Sequence, residues 1–232
     1  MAGGPKHIAI ILDGNRRYAR KSGIQPWMGH EAGAKKVELL FEWAIEFGIK
    51  ELTLYSFSME NFKRDKSEVD FLMRLFQHEF EKVKKDKRID ERGIRIRFIG
   101  RLGMFPEKLQ NMMREITEKT SKNSNLTVNF AMAYGGQAEI VDATKRIIND
   151  VAAKKLNLEN FNEESFGNYL YMKDEPDMVI RTGGAMRLSN FLLYQSSYSE
   201  LFFVEKLWPE FEKEDLVKCI EEFGQRERRF GR

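Results

Sequence analysis

Cysteine is nearly absent: Cys219 stands alone in 232 residues. No internal disulfide can form and no cysteine-rich zinc site can be built, which suits a reducing compartment. No run of about 18 apolar residues occurs, which leaves no candidate for a membrane-spanning helix. The opening Met-Ala-Gly-Gly-Pro-Lys also lacks the apolar core of a secretory signal. Excess charge of one sign is missing too. The 39 Lys and Arg against 36 Asp and Glu leave +3, too little to demand nucleic acid, and arginine placement matters more than the sum. No Pro/Gly/Ser-rich linker, repeat or low-complexity tract divides the chain. What remains is an ordinary globular composition, 42% hydrophobic and 32% charged, long enough to bury a substantial core. The expectation is a cytoplasmic protein of one domain, residues 1–232.

Apolar, β-rich runs occur at His7–Leu12, Leu52–Phe57, Ile94–Ile99, Leu126–Met132, Met178–Ile180 and Leu201–Val204. Amphipathic stretches lie between them at Ala32–Phe47, Ser67–Lys85, Pro106–Ser121 and Gln137–Val151, with Glu214–Arg228 at the end. This alternation predicts an α/β fold, a central and mainly parallel six-stranded sheet flanked by helices on both faces.

Open parallel sheets bind ligands beyond the carboxyl ends of their strands. There the sequence places Asp13-Gly14-Asn15-Arg16-Arg17, Ser58-Met59-Glu60-Asn61-Phe62-Lys63-Arg64, Ala133-Tyr134-Gly135-Gly136, and Arg181-Thr182-Gly183-Gly184 followed by Arg187-Leu188-Ser189-Asn190. Arginines, glycines, hydroxyls and amides at one edge are the composition of a phosphate site. No G-x-x-x-x-G-K-[ST] loop and no strand-following G-x-G-x-x-G is present, so a nucleotide is a poor fit. The D-D-x-x-D pattern of all-helical prenyl-chain synthases is also missing. One well-placed acid among several cations suits a diphosphate with magnesium, an ion that takes one or two carboxylates and completes its shell with phosphate oxygens and water.

Taken singly, these residues have plainer readings. Asp13-Gly14 is an ordinary turn signal, Ser58 a helix cap, and His30 and Glu60 solvated surface groups. The stripe Phe71, Phe76 and Phe80 reads first as core. Taken together, "HIAIILDGNRRYA", "GHEAGAKKV", "LTLYSFSMENFKR", "NFAMAYGGQAEIV", "DMVIRTGGAMRLSNFLLYQSSYSELFF", "LWPEF" and "RERRFG" resemble, in order and over nearly the whole chain, the cis-prenyltransferases of the undecaprenyl diphosphate synthase family.

That resemblance implies repeated condensation of isopentenyl diphosphate onto an allylic diphosphate (farnesyl or geranylgeranyl), a requirement for Mg2+, a homodimer, and a hydrophobic tunnel for the growing chain. Transient contact with a membrane surface for product release is expected, and no nucleic acid. Carried onto this sequence, Asp13 matches the magnesium-linked carboxylate and Glu200 the second acid near the metal. Gly14, Asn15, Arg16, Arg17 and Tyr18 match the loop gripping the allylic diphosphate, with His30 as a further contact. Ser58, Glu60, Asn61, Phe62 and Arg64 match the element beside the reacting carbons. Arg181, Arg187 and Ser189 match the isopentenyl diphosphate cradle, and Arg229 and Gly231 a carboxy-terminal element that reaches across the dimer. The catalytic set is Asp13, Asn15 and Ser58. A diphosphate oxygen, Asn15 and Ser58 are the candidates for taking the proton released on condensation.

Arginines and a metal stabilise charge on a departing diphosphate, so the chemistry requires no activated nucleophile. The sequence departs from the family pattern at four positions. Pro26 stands in Gln25-Pro26-Trp27-Met28 where relatives carry an arginine, with Arg16 replacing a usual glycine, and Ala185 and Met186 follow Gly184 where an acid and a polar residue are usual. A non-catalytic partner subunit on the same fold would lack Asp13 and much of the cradle; here Asp13, Arg181, Arg187 and Ser189 are all present.

Overall fold

Six parallel strands carry the molecule in the spatial order β3-β4-β2-β1-β5-β6. The computed structural model describes residues 4–226. Its strands are β1 (His7–Ile11), β2 (Glu51–Ser58), β3 (Ile94–Ile99), β4 (Leu126–Tyr134), β5 (Met178–Arg181) and β6 (Glu200–Phe203). The expected sheet is therefore present, and its described pairings are all parallel rather than mainly so. Central strands in such a sheet are covered on both faces and read as continuous apolar runs; β1, His-Ile-Ala-Ile-Ile, is buried at every position.

The helices are α1 (Asn15–Lys21), α2 (Gly29–Glu46), α3 (Lys66–Lys85), α4 (Lys87–Glu91), α5 (Glu107–Lys119), α6 (Gly136–Ala152), α7 (Glu163–Gly167) and α8 (Lys213–Gln225). Strand alternation sorts the core into two layers. Ile8, Ile10, Leu52, Leu54, Met178 and Ile180 face a large cluster built with α2, α3, α5 and α8. Ala9, Ile11, Val179 and Ala131 face a smaller one with Tyr134, Met172, Phe191 and Leu192. Helices flank both faces, as α6 joins the second through Glu139, which accepts a hydrogen bond from the Tyr134 hydroxyl.

Two expectations shift. Asn15, Arg16 and Arg17, expected in a loop, form the first turn of α1. Gly14 makes the turn into it with φ 109°, and a Cβ there would lie 2.9 Å from the Leu207 backbone, so both conformation and space call for glycine. The last helix ends at Gln225, short of the expected Arg228, and Arg229 and Gly231 lie outside the described residues. No helix among the described residues is long and apolar enough to cross a membrane.

Candidate active site

The carboxyl edge of the sheet gathers two groups of cations, each around one acid. The first centres on Asp13, just past β1. Its main-chain carbonyl accepts from the Trp208 N–H at 2.9 Å and the Thr182 hydroxyl at 2.8 Å, which fixes the backbone. Its Oδ2 accepts from Arg181 Nη2 at 2.8 Å, and Oδ1 lies 3.3 Å from Arg17 Nη2. Arg181, at the end of β5, is 4% exposed. Its Nη1 donates to the Arg187 carbonyl at 2.5 Å and to Ser189 Oγ at 2.7 Å. Arg187 Nε reaches the same Oγ at 3.2 Å, and Arg17 Nη1 donates to the Gly183 carbonyl at 2.6 Å.

Backbone strain presents Ser189. Ser189, Asn190 and Leu192 have φ of 49°, 66° and 44°, a region that costs non-glycine residues free energy unless the surroundings impose it. Here they do. The Tyr55 hydroxyl donates to the Ser189 carbonyl at 3.3 Å, and Phe191 stacks on the Tyr55 ring at 4.5 Å. The Gly136 and Gln137 N–H groups at the start of α6 donate to Asn190 at 2.7 and 2.9 Å.

The second group surrounds Glu68, in the first turn of α3 and 3% exposed. Arg64 Nη1 donates to Glu68 Oε1 at 2.8 Å, while His30 Nε2 and Arg16 Nε stand 3.7 and 3.8 Å from that same oxygen. The last two distances exceed hydrogen bonding, and both nitrogens are buried with no acceptor. Burial, with the Arg64 charge, pushes the His30 pKa down to about 4, and Glu68 opposes the shift. His30 is therefore neutral at neutral pH. Asn15 ties the loop together: Nδ2 donates to the Leu12 carbonyl at 3.1 Å, and buried Oδ1 has no partner. A Cβ on Gly29, the first residue of α2, would come within 2.0 Å of the Asn15 main-chain oxygen, so α2 approaches α1 only because residue 29 is glycine.

Between and beyond these groups lies a cavity of about 880 Å³. Asp13, Asn15, His30, Ser58, Asn61, Arg64, Arg181, Arg187 and Ser189 line one part of it. Phe41, Leu72, Phe76, Phe80, Phe98 and Phe130 line another. A polar part thus adjoins apolar walls supplied by α2, α3 and the sheet, and charged Glu79, Lys82, Asp86, Arg88 and Arg92 line a further part.

The remaining expected residues fall as follows. Asn61 Oδ1 accepts from the Ser58 N–H at 3.0 Å and closes the turn after β2. Glu60 is exposed, 3.5 Å from Asn190 Nδ2. Phe62 packs edge-on against Phe57 at 4.8 Å, in the core. Tyr18 is half-buried on α1 beside the arginines. Glu200 is not brought to Asp13 within the chain. It opens β6 level with Met178 and Ile8, about 16 Å of strand before Asp13, and pairs with Arg226 at 2.8 Å. Glu68 escaped the sequence reading, because an acid four residues after an arginine at a helix start reads as a solvated ion pair.

No group of three or more His, Cys, Asp or Glu able to hold a metal occurs among the described residues. A magnesium ion delivered with a diphosphate needs only a carboxylate or two, and Asp13, 31% exposed at the cavity mouth, fits that requirement.

A parallel sheet whose carboxyl edge carries paired arginine clusters above an apolar cavity defines a binder of amphiphilic phosphates. The chain belongs to the undecaprenyl diphosphate synthase family, whose model ("Putative undecaprenyl diphosphate synthase") matches residues 11–231. It is 53% identical over 230 residues to a tritrans,polycis-undecaprenyl-diphosphate synthase (geranylgeranyl-diphosphate specific) of Pyrococcus furiosus, covering 98% of this chain and 87% of that protein. An isoprenyl transferase of Thermotoga maritima is 47% identical over 98% and 97% of the two chains. The crystal structure of lavandulyl diphosphate synthase from Lavandula x intermedia, in complex with dimethylallyl diphosphate, superposes with a TM-score of 0.91 at 33% identity, covering 99% of each chain.

Proposed function

We propose that the protein lengthens an allylic diphosphate by repeated cis condensation with isopentenyl diphosphate, yielding a long-chain polyprenyl diphosphate for use as a glycosyl-carrier lipid precursor. Geranylgeranyl diphosphate is the favoured primer, on the named specificity of the archaeal relatives. One observation carries the reading: a single cavity joins two cationic clusters to a wall of phenylalanines, as a substrate with a diphosphate head and a hydrocarbon tail requires.

In each round the C1–O bond of the allylic substrate breaks and its electron pair leaves with the diphosphate. The isopentenyl double bond attacks C1, and a proton leaves the new skeleton for an oxygen of the departing diphosphate. Arg16, Arg17, His30 and Arg64 grip the allylic diphosphate, while Arg181, Arg187 and Ser189 grip the isopentenyl one. Preset donors of this kind stabilise charge as it builds on the leaving oxygens. Magnesium bound at Asp13 would supply further neutralisation of those oxygens. Phe76, Phe80 and their neighbours shield the allylic cation from water and serve as the tunnel for the growing tail. The assembly is a homodimer in which Arg229 and Gly231 complete the partner's isopentenyl site. The product then leaves through transient contact with a membrane surface.

Incubation with labelled isopentenyl diphosphate, geranylgeranyl diphosphate and Mg2+ tests the proposal. Label extractable into butanol as a ladder of prenyl diphosphates is expected; no incorporation with any allylic primer would refute it.

A further inference from the structure

Three donors offered to an allylic diphosphate already face an anion belonging to the protein. Glu68 is almost wholly buried, and its Oε1 holds Arg64 at 2.8 Å while His30 Nε2 and Arg16 Nε wait beyond bonding distance, each without an acceptor. A helix-start acid serving only its own dipole and an i,i+4 arginine would sit in solvent. This one is placed where three elements meet: α1 through Arg16, α2 through His30, and the turn before α3 through Arg64.

We propose that Glu68 is a built-in counter-anion that loosens the allylic site's hold on inorganic diphosphate, so that the by-product of each condensation leaves before the lengthened chain takes its place. The inference rests on the condensation reading above. Repeated elongation empties and refills the allylic site every round, and two arginines with nothing to offset them would retain a highly charged by-product. Glu68 cancels part of that charge at close range, where little water intervenes. Its grip on Arg64 keeps that guanidinium aimed while the site is empty. Arg16 Nε, which Glu68 attracts without bonding, and the neutral His30 Nε2 remain free to donate to the next diphosphate. Glu68 is thus a positioning residue, acting through the cations rather than on the reacting atoms.

The test compares Glu68→Gln with the parent protein. Glutamine keeps an oxygen for Arg64 and removes the charge. Calorimetric titration with inorganic diphosphate should give a dissociation constant lowered roughly tenfold, and inhibition by inorganic diphosphate in the elongation assay should tighten in parallel. KM for the allylic primer should fall while KM for isopentenyl diphosphate stays put, a split that general loosening of the fold would not produce. Glu68→Asp, which keeps the charge but withdraws it from Arg64, should bind inorganic diphosphate with an affinity between the two, and it decides the matter if the glutamine variant does not fold. Unchanged or weaker diphosphate binding in whichever of these variants folds overturns the proposal. The titration needs no turnover, so a protein that binds diphosphate as described yet incorporates no isopentenyl unit refutes the condensation reading and leaves the role of Glu68 to be judged by the titration.

Discussion

The two cation clusters on this sheet edge differ in how completely they are satisfied. Around Asp13, Arg181 spends both terminal nitrogens on a carboxylate, a carbonyl and a hydroxyl at 2.5 to 2.8 Å, nearly shut off from water, and only its Nε lacks a partner. Around Glu68, one of three donors is bonded and two are held open. The first cluster is set in advance of ligand; the second has capacity to spare. A site that must hold one diphosphate in register while releasing another benefits from that inequality, since fixed donors favour orientation and unfilled ones favour exchange.

Removing the acid of the fixed cluster should have the largest effect. Asp13→Asn retains an acceptor for Arg181 but loses the charge proposed to hold Mg2+, and kcat should fall by at least about 10²–10³-fold with little change in circular dichroism. Near-normal turnover would show that Asp13 serves only Arg181. Next comes Arg181→Lys, which keeps the charge and loses the fork. KM for isopentenyl diphosphate should rise about tenfold, equivalent to ~1.4 kcal/mol, more than KM for the allylic primer. Equal rises would dissolve the distinction between the clusters.

Gly33→Ala strikes the support beneath both. Its Cβ would press on Asn15 Oδ1, and adding Gly29→Ala, whose Cβ would meet the Asn15 main-chain oxygen at 2.0 Å, would force α2 from α1, costing about 1–3 kcal/mol, read as a lowered urea midpoint; an unchanged midpoint would show that the contact yields freely. The last effect concerns pH and leaves the site's chemistry untouched. Burial pushes His7 and His30 each down to about 4, so the unfolded chain binds protons between pH 6.5 and 4 that the folded one refuses. Stability is then full above about pH 6.5 and declines towards pH 4, by on the order of 3 kcal/mol per histidine. A flat urea-stability profile across that window would show that both rings accept protons in the fold.

Much of this was legible in the sequence, and the remainder was hidden for physical reasons. Strand interiors such as Ile8–Ile11 declare themselves because a parallel strand buried on both faces has little room for polar residues. The strand-end arginines declare themselves because the topology delivers them to one rim. Helix α1 went unread because Asn-Arg-Arg-Tyr-Ala-Arg-Lys buries only Ala19 and offers no apolar stripe. Glu68 was hidden because its burial comes from α1 and α2, far off in sequence, and not from its own helix. The distance between Glu200 and Asp13 follows from strand direction, since an acid that opens a parallel strand lies at the edge opposite to a residue that follows one.

The most direct test is a crystal structure with Mg2+, isopentenyl diphosphate and a non-hydrolysable thio-analogue of the allylic diphosphate. The isopentenyl phosphates are expected on Arg181, Arg187 and Ser189, the allylic diphosphate among Arg16, Arg17, His30 and Arg64, and its tail along Phe76 and Phe80. Phosphates bound away from this edge, or a tail lying outside the cavity, would contradict this arrangement.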